Sequence, residues 1–562
     1  MLSKLKRLTT RLRRPNRLDA FSALASLLIS VALSVGGALT RCDSSKIALL
    51  ISFAIYFVPF FFLARALLRR LDKQKPKPEK KQTPRFCVKR FLLLFAIIII
   101  PYLILFLAYY PGMFAYDVET QLMAGSMTNH HPIVHTLALH AFARFGYAAH
   151  LSDNSTIALM SLAQIFLCGA VYAYVAEYIG RITKRKNGIF AAIFFGWFPV
   201  CSFGAISITK DTTHALCNVL LLTKFHQTIN RRTISRRSII ILGVIASLFC
   251  LSRNNAPFIL ALWLIPLFFI LKRHTKRTAI VVTLLVALFC SFAIDKALNR
   301  AFNTRILSED AAFSVPLQVI AGVVDRHPEL MPEESSGERL LGFFEVGEGY
   351  EFWYNPINAD SAKGSYGKQI TKDNKIQLLL TSAGTAIRYP KDSLVTIMNL
   401  SKSSWYPYSY DYAYFYRGSF METTFRPTSM LPNAKQSSKL PKLKEFLDRE
   451  LKDMGYTSNA FLNLLLAPAI YVYALVFYII YLCYSRRYCE LHLGAFILAG
   501  YIITLIAAPG ILIRYVSPVM ICVPLLYVFT FCAKTSIIKP VTHTISVKKP
   551  AKRFKKPAKR KI

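Results

Sequence analysis

Charged residues are scarce in this sequence, and acidic residues are the scarcer kind. Charged side chains make up 18% of the 562 residues and hydrophobic ones 54%, and 30 Asp and Glu stand against 70 Lys and Arg. Apolar runs close to the ~20 residues that cross a bilayer as a helix recur along the chain. This composition excludes a soluble globular protein and predicts a polytopic membrane protein.

Acidic residues are missing where basic residues concentrate. From Lys534 to the C-terminus, for example, eleven Lys and Arg occur without one Asp or Glu. Short basic blocks between apolar runs are typical of cytoplasmic loops, and they favour anionic lipid headgroups. Since no base-reading motif accompanies these blocks, the formal charge of +40 predicts a lipid bilayer as a partner and no nucleic acid.

Cysteine is absent from residues 296–460, the longest polar stretch, although the chain contains 11 cysteines. A domain closed by disulfides would carry them there, so this stretch is expected to fold without them. Between Arg300 and Asp453, acidic and basic residues are equal in number, nineteen of each. With Trp353, Trp405 and several apolar clusters, the stretch is predicted to be a small α/β or mixed domain outside the cytoplasm.

Placing every basic block in the cytoplasm predicts an all-α membrane bundle of about 12 transmembrane helices, with both termini cytoplasmic. The expected location is the plasma membrane. The predicted segments are a basic N-terminus (1–19), nine spans (20–295) with a first outer loop at 110–153, an extracytoplasmic domain (296–460), three last spans (461–533) and a basic tail (534–562).

The first apolar run has an alternative interpretation. It extends from Phe21 to Leu39 behind a basic start, which is also the pattern of a secretory signal peptide. No clean small-residue cleavage site follows, and Arg41 and Asp43 end the run abruptly. A retained first span is therefore the favoured interpretation.

The first outer loop combines carboxylates with histidines. Asp117 stands at a predicted helix start, so it is either an N-cap or, together with Glu119, a general base or a ligand of a divalent cation. His131 and His135 are spaced to share a helix face as a zinc pair, but no strong third ligand is evident.

Two further polar motifs lie at the outer ends of predicted spans. Lys210 and Asp211 form either an ordinary interfacial ion pair or a phosphate-binding lysine held by an acid. Arg253, Asn254 and Asn255 separate two apolar runs. Because charged groups at membrane depth are costly, this motif indicates a lined cavity rather than a plain turn.

The last outer junction adds a second arginine. Arg514 and Tyr515 follow Pro509 and Gly510. The predicted topology thus brings a pair of carboxylates, a lysine and two arginines to one face of the membrane. A lipid-linked phosphate or pyrophosphate requires groups of this kind.

The polar stretch contains a regular series of tyrosines. Tyrosine occupies every even position from 406 to 416, so an extended segment would place all six on one face. Such a face is either a platform for sugar rings or part of an aromatic belt at the membrane surface. As a platform, its sugar-binding or acceptor-binding residues would be Trp405, Tyr408, Tyr410 and Tyr412.

Five short motifs together resemble those of bacterial GT-C-type membrane glycosyltransferases. The resemblance is closest to a branch classified as a domain of unknown function, distantly related to transferases that use polyprenyl-phosphate sugars. It covers roughly residues 90–260 and 500–520. The motifs are Pro111-Gly112-x3-Tyr116-Asp117-x3-Gln121, Asn129-His130-His131-Pro132, Thr209-Lys210-Asp211, Arg253-Asn254-Asn255 and Arg514-Tyr515.

The resemblance implies an enzyme with a GT-C-like fold. The family's catalytic carboxylate lies in the first outer loop and corresponds to Asp117. Some relatives carry an acid-x-acid metal motif, for which this chain offers Asp117-x-Glu119, so Mg²⁺ or Mn²⁺ is a possible cofactor. The donor phosphate is expected at Lys210, Arg253 and Arg514. The expected supporting side chains are Gln121, His130, His131, Asp211, Asn254, Asn255 and Tyr515.

The predicted function is transfer of a sugar from a polyprenyl-phosphate donor to a cell-envelope glycan or polymer on the outer face. One alternative is a transporter or flippase of lipid-linked glycan, although no repeat between the halves supports it. Another is a non-catalytic envelope-assembly protein that binds glycan through residues 296–460. Convergence of Asp117, Lys210, Arg253 and Arg514 on one outward cavity would favour the enzyme.

Overall fold

The computed structural model describes twelve stretches of the chain. They are residues 16–41, 45–73, 85–114, 116–123, 127–230, 235–271, 277–305, 313–330, 354–364, 375–408, 427–453 and 460–532. Within them the regular structure is helical, and β-structure is limited to isolated bridges. The described part of the chain is an all-α bundle, as the sequence predicts for the membrane domain.

The described residues before the long polar stretch form helices α1 to α12. They are α1 (Arg17–Arg41), α2 (Lys46–Lys73), α3 (Val88–Ala108), α4 (Tyr116–Gln121), α5 (Ile133–Ala148), α6 (Asp153–Ile182), α7 (Arg185–Trp197), α8 (Pro199–Ile206), α9 (Lys210–Asn230), α10 (Arg236–Leu251), α11 (Ala256–Ile270) and α12 (Arg277–Ala301). Serine caps start two of them: Ser152 accepts from the backbone N–H of Ser155, and Ser235 from that of Ser238.

The later described residues form helices α13 to α21. They are α13 (Ser314–Val324), α14 (Ala359–Gly364), α15 (Lys375–Arg388), α16 (Pro390–Trp405), α17 (Pro441–Leu447), α18 (Ala460–Leu466), α19 (Pro468–Tyr484), α20 (Leu491–Ala507) and α21 (Ile513–Tyr527). Proline opens α16, α17 and α19, where its missing N–H and its fixed φ suit the first helical turn.

Six described helices are long and apolar enough to cross a bilayer, namely α1, α2, α3, α6, α12 and α21 with its π-helical continuation. The pair α7 and α8, bent by 56°, makes a seventh if the two helices are one span. The chain is therefore a membrane protein in contact with lipid. In particular, α2 is apolar along most of its length, yet only its Ala64 and Leu68 are buried within the protein.

The predicted count of about 12 spans is not reached by length and composition alone. The other predicted spans correspond to α9, α10, α11, α19 and α20. Helix α9 has 21 residues but many polar side chains, and the other four have 16, 15, 17 and 17 residues. At 1.5 Å per residue, 15 residues extend only ~22 Å, against ~30 Å of hydrocarbon. The twelve-span topology stays a prediction.

Helix α9 lies inside the bundle. It contacts α6, α10, α20 and α21, and most of its side chains are buried, including polar ones such as Asp211, His214 and Lys224. One apolar core runs through the membrane helices around it and includes Phe225, Trp263 and Phe496. The start of α9, which carries Lys210 and Asp211, is therefore held firmly within the bundle.

Residues 110–153, predicted to be the first outer loop, include helices α4 and α5, which pack against the start of α6 and the segment before α9. Their apolar side chains form a separate small cluster that includes Phe114, Val118, Leu139, Met160 and Ile208. The cluster fixes α4, the helix that carries Asp117, against the start of α9.

The described part of residues 296–460 contributes helices α13 to α17. Helix α13 packs against α15 and α16 around its own core of Leu317, Ile320, Val324 and Leu378. Helix α16 also contacts α1 and α19. These described residues form no strand, so the predicted α/β or mixed character has no support within them.

Candidate functional site

Four helix ends that are distant in sequence meet at one polar cluster. Asp117 lies in the first turn of α4, Lys210 and Asp211 open α9, Arg253 lies between α10 and α11, and Arg514 lies in the first turn of α21. Each position follows a helix break, where a polar side chain does not interrupt apolar packing. The four residues that the sequence predicts to converge are thus brought together.

Backbone hydrogen bonds set α4 beside α9. The N–H of Met113 donates to the carbonyl of Ile206 at 2.9 Å, and the N–H of Ile208 donates to the carbonyl of Met113 at 3.0 Å. This short pairing ties the chain just before α4 to the chain just before α9. Asp117 and Lys210 are therefore neighbours because of the backbone, before any side-chain attraction acts.

Asp117 is paired with two cations. Its Oδ2 lies 2.9 Å from Nζ of Lys210 and 3.4 Å from Nη1 of Arg514. Burial acts to raise the pKa of the Asp117 carboxyl, but the charges of Lys210 and Arg514 outweigh burial and hold that pKa well below its usual value. Asp117 is therefore ionised at any physiological pH.

Asp211 is the more deeply buried carboxylate and is paired less tightly. It is 1% exposed, and its oxygens lie 3.3 Å from Nε of Arg253 and 3.6 Å from Nε of Arg514. Neither oxygen has a hydrogen-bond partner among the described residues, and the same holds for Nε of Arg514. Buried polar groups are normally hydrogen-bonded, so this part of the cluster has unused capacity for water or a ligand.

Arg253 presents an open fork of donors. Its guanidinium lies over the ring of Tyr515, 4.5 Å from the ring centroid, and its Nε faces Asp211. Its two terminal amino groups donate no hydrogen bond to any described residue, although its side chain is only 12% exposed. Tyr515 also accepts a hydrogen bond from Nη2 of Arg514 at 3.1 Å. A stacked guanidinium with free terminal donors is well suited to binding a phosphate.

His131 connects Lys210 to α4. Its Nδ1 lies 2.7 Å from Nζ of Lys210, and its Nε2 lies 2.8 Å from the hydroxyl of Thr120. Because ammonium only donates, Nδ1 is the acceptor and the proton is assigned to Nε2. The hydroxyl of Thr120 then donates to the carbonyl of Asp117 at 3.0 Å. Burial and the charge of Lys210 lower the pKa of His131 to about 3, so this histidine is neutral.

The cluster has a surplus of positive charge. Lys210, Arg253 and Arg514 face Asp117 and Asp211. The adjacent histidines add no charge near neutral pH, because burial and Lys210 also lower the pKa of His135, to about 4. Three cations against two carboxylates leave one net positive charge in a largely buried place, where electrostatic attraction is stronger than in water. The arrangement can therefore bind a singly charged anion.

The other predicted supporting residues surround the cluster. Nε2 of Gln121 lies 3.1 Å from Nδ1 of His135 and donates to the Thr136 hydroxyl. Nδ2 of Asn254 donates to the carbonyls of Asn129 and His130 at 3.2 and 3.1 Å. These contacts join α4, α5 and the α10–α11 connection into one frame.

Two further predicted members, Glu119 and Asn255, each stand two residues after a charged residue of the cluster. Glu119 lies two residues after Asp117 on α4, so the two side chains leave the helix ~200° apart. Asn255 is next to Asn254 but turns its side-chain oxygen into a buried position without a hydrogen-bond partner among the described residues.

The described residues of the predicted sugar platform contact α16, α19 and α1. The indole Nε1–H of Trp405 donates to the hydroxyl of Ser401. The backbone carbonyl of Trp405 accepts a hydrogen bond from the hydroxyl of Tyr473 on α19. Tyr408 is 46% exposed and contacts Tyr406, whose ring lies against Gly36 of α1. Tyr410 and Tyr412 lie outside the described residues.

A metal site does not fit the described residues. They contain no group of three or more His, Cys, Asp or Glu side chains placed to hold a metal ion. The spacing of His131 and His135 does not bring a zinc pair either, since His131 bonds Lys210 and Thr120 while His135 faces Gln121. The Mg²⁺ or Mn²⁺ cofactor stays a prediction.

Sequence reasoning missed Thr120 and His140. Thr120 contacts both the Asp117 carbonyl and His131, and His140 is buried with Nε2 2.8 Å from the carbonyl of Gln121. The signal for Thr120 was its spacing of three from Asp117 on a helix. His140 follows His135 on the same helix, among apolar residues, where an isolated polar side chain usually has a buried partner.

Comparison with known proteins gives one match. Residues 123–378 match the model of a family of unknown function (DUF6020). The matched region includes His131, Lys210, Asp211 and Arg253, whereas Asp117 and Arg514 lie outside it. No curated protein and no solved structure matches the chain. This part of the protein is similar to a family without an assigned function, and the role of the cluster follows from its geometry.

Proposed function

We propose that the protein is a glycosyltransferase of the plasma membrane. It moves a sugar from a polyprenyl-phosphate donor to a glycan or polymer of the cell envelope. The observation that carries the proposal is the meeting of Asp117, Lys210, Arg253 and Arg514 in one cluster with a net positive charge. The proposed topology has about 12 spans, both termini in the cytoplasm and this cluster on the outer face.

The donor phosphate binds where the cluster has unused donors. The terminal amino groups of Arg253 and Nε of Arg514 have no hydrogen-bond partner among the described residues. Lys210 supplies a third cation beside them. A sugar phosphodiester has one negative charge, which matches the single surplus positive charge of the cluster.

An apolar cavity is available for the lipid chain. It has a volume of about 490 Å³ and is lined by residues of α18, α19 and α21, which include Leu465, Tyr471 and Pro524. Helix α21 carries Arg514 at its outer end and Pro524 ten residues later, ~15 Å along the axis. One helix therefore connects the charged cluster to a place where an isoprenoid chain would be soluble.

Sugar transfer at this site is an inverting displacement. The oxygen of an acceptor hydroxyl attacks the anomeric carbon, while the bond from that carbon to the phosphate oxygen breaks with its electron pair. Asp117 takes the hydroxyl proton, and the cations stabilise the charge that develops on the leaving phosphate. The products are a glycoside and the polyprenyl phosphate.

Asp117 becomes a useful base only when it is released from its cations. In the absence of ligand, Lys210 and Arg514 both face the same oxygen, Oδ2, which makes the carboxylate a weak base. A bound phosphate competes for Lys210 and Arg514 and weakens their hold on Asp117. The pKa of Asp117 then rises, so proton transfer depends on the presence of the donor.

The interior of the bundle supports an enzyme rather than a transporter. Phe225, Trp263, Phe249 and Phe496 contact one another, with ring centroids 4.8 to 5.5 Å apart. This aromatic layer lies among α9, α10, α11 and α20, below the charged cluster. A path for a glycan through the bundle would have to open it.

The test is a comparison of two carboxylate variants. Asp117→Asn should abolish sugar transfer at an unchanged protein level, because the amide cannot accept the proton. Glu445→Gln, at an exposed position of α17, should retain most of the activity. The measurement is glycan analysis of cell envelopes from a strain that lacks the gene and carries each variant. Full transfer by Asp117→Asn would sink the assignment.

A further inference from the structure

We propose that Ser403, near the end of α16, is a positioning residue that holds Arg514 within the charged cluster. The inference rests on the proposed function, because it assigns Ser403 a role in binding the donor phosphate. It concerns the loop of residues 508–512, which joins α20 to α21 immediately before Arg514. Helices α14 and α16, from the long polar stretch, fix this loop at two places.

The first attachment is made by the start of α14. The N–H of Ala359 donates to the carbonyl of Pro509 at 2.7 Å. At the next residue, a Cβ added to Gly510 would lie 2.8 Å from the carbonyl oxygen of Ile357. Glycine thus permits the closest approach between the loop and the segment that precedes α14.

The second attachment is made by α16. The hydroxyl of Ser403 donates to the carbonyl of Ile511 at 3.0 Å in a buried place. The adjacent Ser404 hydroxyl lies 2.8 Å from the hydroxyl of Tyr501 on α20. Ser403 therefore bonds the loop itself, whereas Ser404 bonds the helix before it.

The loop has a direct effect on Arg514. Ile511 is three residues before Arg514, and the carbonyl of Leu512 accepts the first hydrogen bond of α21, from Tyr515. The ion pairs of Arg514 with Asp117 and Asp211 are 3.4 and 3.6 Å long. Hydrogen bonds from a guanidinium to a phosphate weaken steeply when their angle becomes unfavourable. A small displacement of the loop is therefore enough to change how the guanidinium faces a phosphate.

The contacts make part of the 296–460 region a component of the donor site. Without the Ser403 hydrogen bond, Arg514 samples more orientations and meets the phosphate less often. Loss of one such hydrogen bond corresponds to a reduction in affinity of about threefold to tenfold. The same loss should not occur when Arg514 is already absent, because then there is no guanidinium to position.

The experiment measures binding of polyprenyl phosphate to the full-length protein in lipid nanodiscs. Ser403→Ala should weaken binding by about threefold to tenfold, and Arg514→Gln should weaken it at least as much. The double variant should bind no more weakly than Arg514→Gln alone. Ser393→Ala, ten residues earlier on α16, is the matched control and should bind like the wild type, because the Ser393 hydroxyl has no hydrogen-bond partner among the described residues.

A second pair of variants separates positioning from folding. Ser403→Thr retains a hydroxyl and should restore binding, whereas the equally large Ser403→Val should not. Equal binding by wild type and Arg514→Gln would overturn the proposed phosphate role of Arg514. If Arg514→Gln binds weakly but Ser403→Ala binds normally, the positioning role of Ser403 is wrong. Equal fold losses for Ser403→Ala with and without Arg514 would overturn it as well.

Discussion

Arg253 illustrates how a single residue is prepared for a ligand. The Tyr515 ring lies beneath its guanidinium, Asp211 faces its Nε, and its terminal amino groups are left without a partner among the described residues. Arginine suits this position better than lysine because a planar fork reaches two phosphate oxygens at once. Its orientation is set before any ligand arrives, so little conformational entropy is lost on binding.

Replacing Arg253 by lysine should therefore impair donor binding while preserving the charge. We expect Arg253→Lys to raise the KM for the polyprenyl-phosphate donor about tenfold, equivalent to ~1.4 kcal/mol, with a smaller effect on kcat. Steady-state kinetics over a series of donor concentrations check this. Arg236→Lys, at the opposite end of α10, is the control. An unchanged donor KM in Arg253→Lys would show that the fork does not bind the phosphate.

His131 should make the protein sensitive to acid. Its pKa is about 3 in the folded protein and ordinarily 6.5, so at intermediate pH the unfolded chain binds more protons. Stability from this group is fully present above pH ~6.5 and declines as the pH falls toward 3. The depressed pKa of Asp117 acts only at lower pH, below ~3.9, the ordinary value for aspartate.

A histidine-to-asparagine exchange tests this dependence. Asparagine retains an acceptor for Lys210 but does not titrate, so His131→Asn should show a smaller fall in Tm between pH 7 and pH 5 than the wild type. Thermal unfolding in detergent at the two pH values is the measurement. His150→Asn is the control, since His150 is exposed and has a φ of 53° that asparagine tolerates. Identical falls in wild type and His131→Asn would contradict the expectation.

At the scale of helices and turns, the position of α4 depends on the turn before it. Gly112 has a φ of +133°, and a Cβ added there would lie 1.9 Å from the hydroxyl of Ser161. Both the backbone conformation and the space therefore exclude a side chain. The turn leads into Met113, whose backbone is bonded to the start of α9. A change in the backbone conformation at Gly112 would therefore also displace Asp117.

Gly112→Ala should destabilise the protein by about 2 kcal/mol or more and remove sugar transfer with it. The matched control is Gly384→Ala in α15, where nothing lies within 4 Å of an added Cβ. Because alanine is the better helix former, this control should be neutral or stabilising by up to ~1 kcal/mol. Thermal unfolding and protein level in membranes report both effects. A Gly112→Ala protein as stable as the control would exclude the steric argument.

The sequence predicts the long apolar helices more reliably than the polar ones. Apolar runs alone locate α1, α2, α3, α6 and α12. The region 296–460 was predicted to be α/β or mixed, because apolar clusters such as residues 376–380 do not distinguish a strand from a helix. In the structure those residues lie within α15, where Leu378 packs against α13 and its apolar neighbours Ile376 and Leu380 are exposed. Periodicity in a short apolar run is ambiguous, and the neighbouring helix resolves it.

The sequence predicts which residues form the charged cluster, but it does not predict which of them pair with one another. Asp117, Lys210, Arg253 and Arg514 were expected on one face because the basic loops fix the sidedness of every span. That Asp117 pairs with both Lys210 and Arg514 depends on how α4, α9 and α21 pack. Tertiary packing sets these distances, and local sequence carries no information about them. The contact between Thr120 and His131 likewise depends on how α4 packs against the segment before α5.

At the scale of the whole molecule, the orientation in the membrane is the most direct question. The twelve-span topology places residue 150 outside the cell and residue 186 inside. Both side chains are exposed. A single cysteine at His150→Cys should react with a membrane-impermeant maleimide in intact cells. Lys186→Cys should react only after the cells are made permeable. The parent for both variants is a protein without its native cysteines.

The opposite labelling pattern would invert the topology and place the cluster in the cytoplasm. Labelling of both positions in intact cells would contradict an odd number of crossings between them. In either case a polyprenyl-phosphate donor on the outer face would lose its support. The test is independent of any assay for sugar transfer.

The residues of the charged cluster are far apart in the sequence, and this separation matters while the chain is being translated. Asp211 is synthesised with α9, whereas Arg514 follows roughly 300 residues later, in α21. At ~5–20 residues per second, translation takes ~15–60 s to supply it. During that interval the carboxylate of Asp211 has Arg253 as a partner but lacks Arg514. A quality-control protease could recognise this incompletely paired state. Truncation before α21 should therefore shorten the lifetime of the nascent chain more than the loss of one apolar helix would suggest.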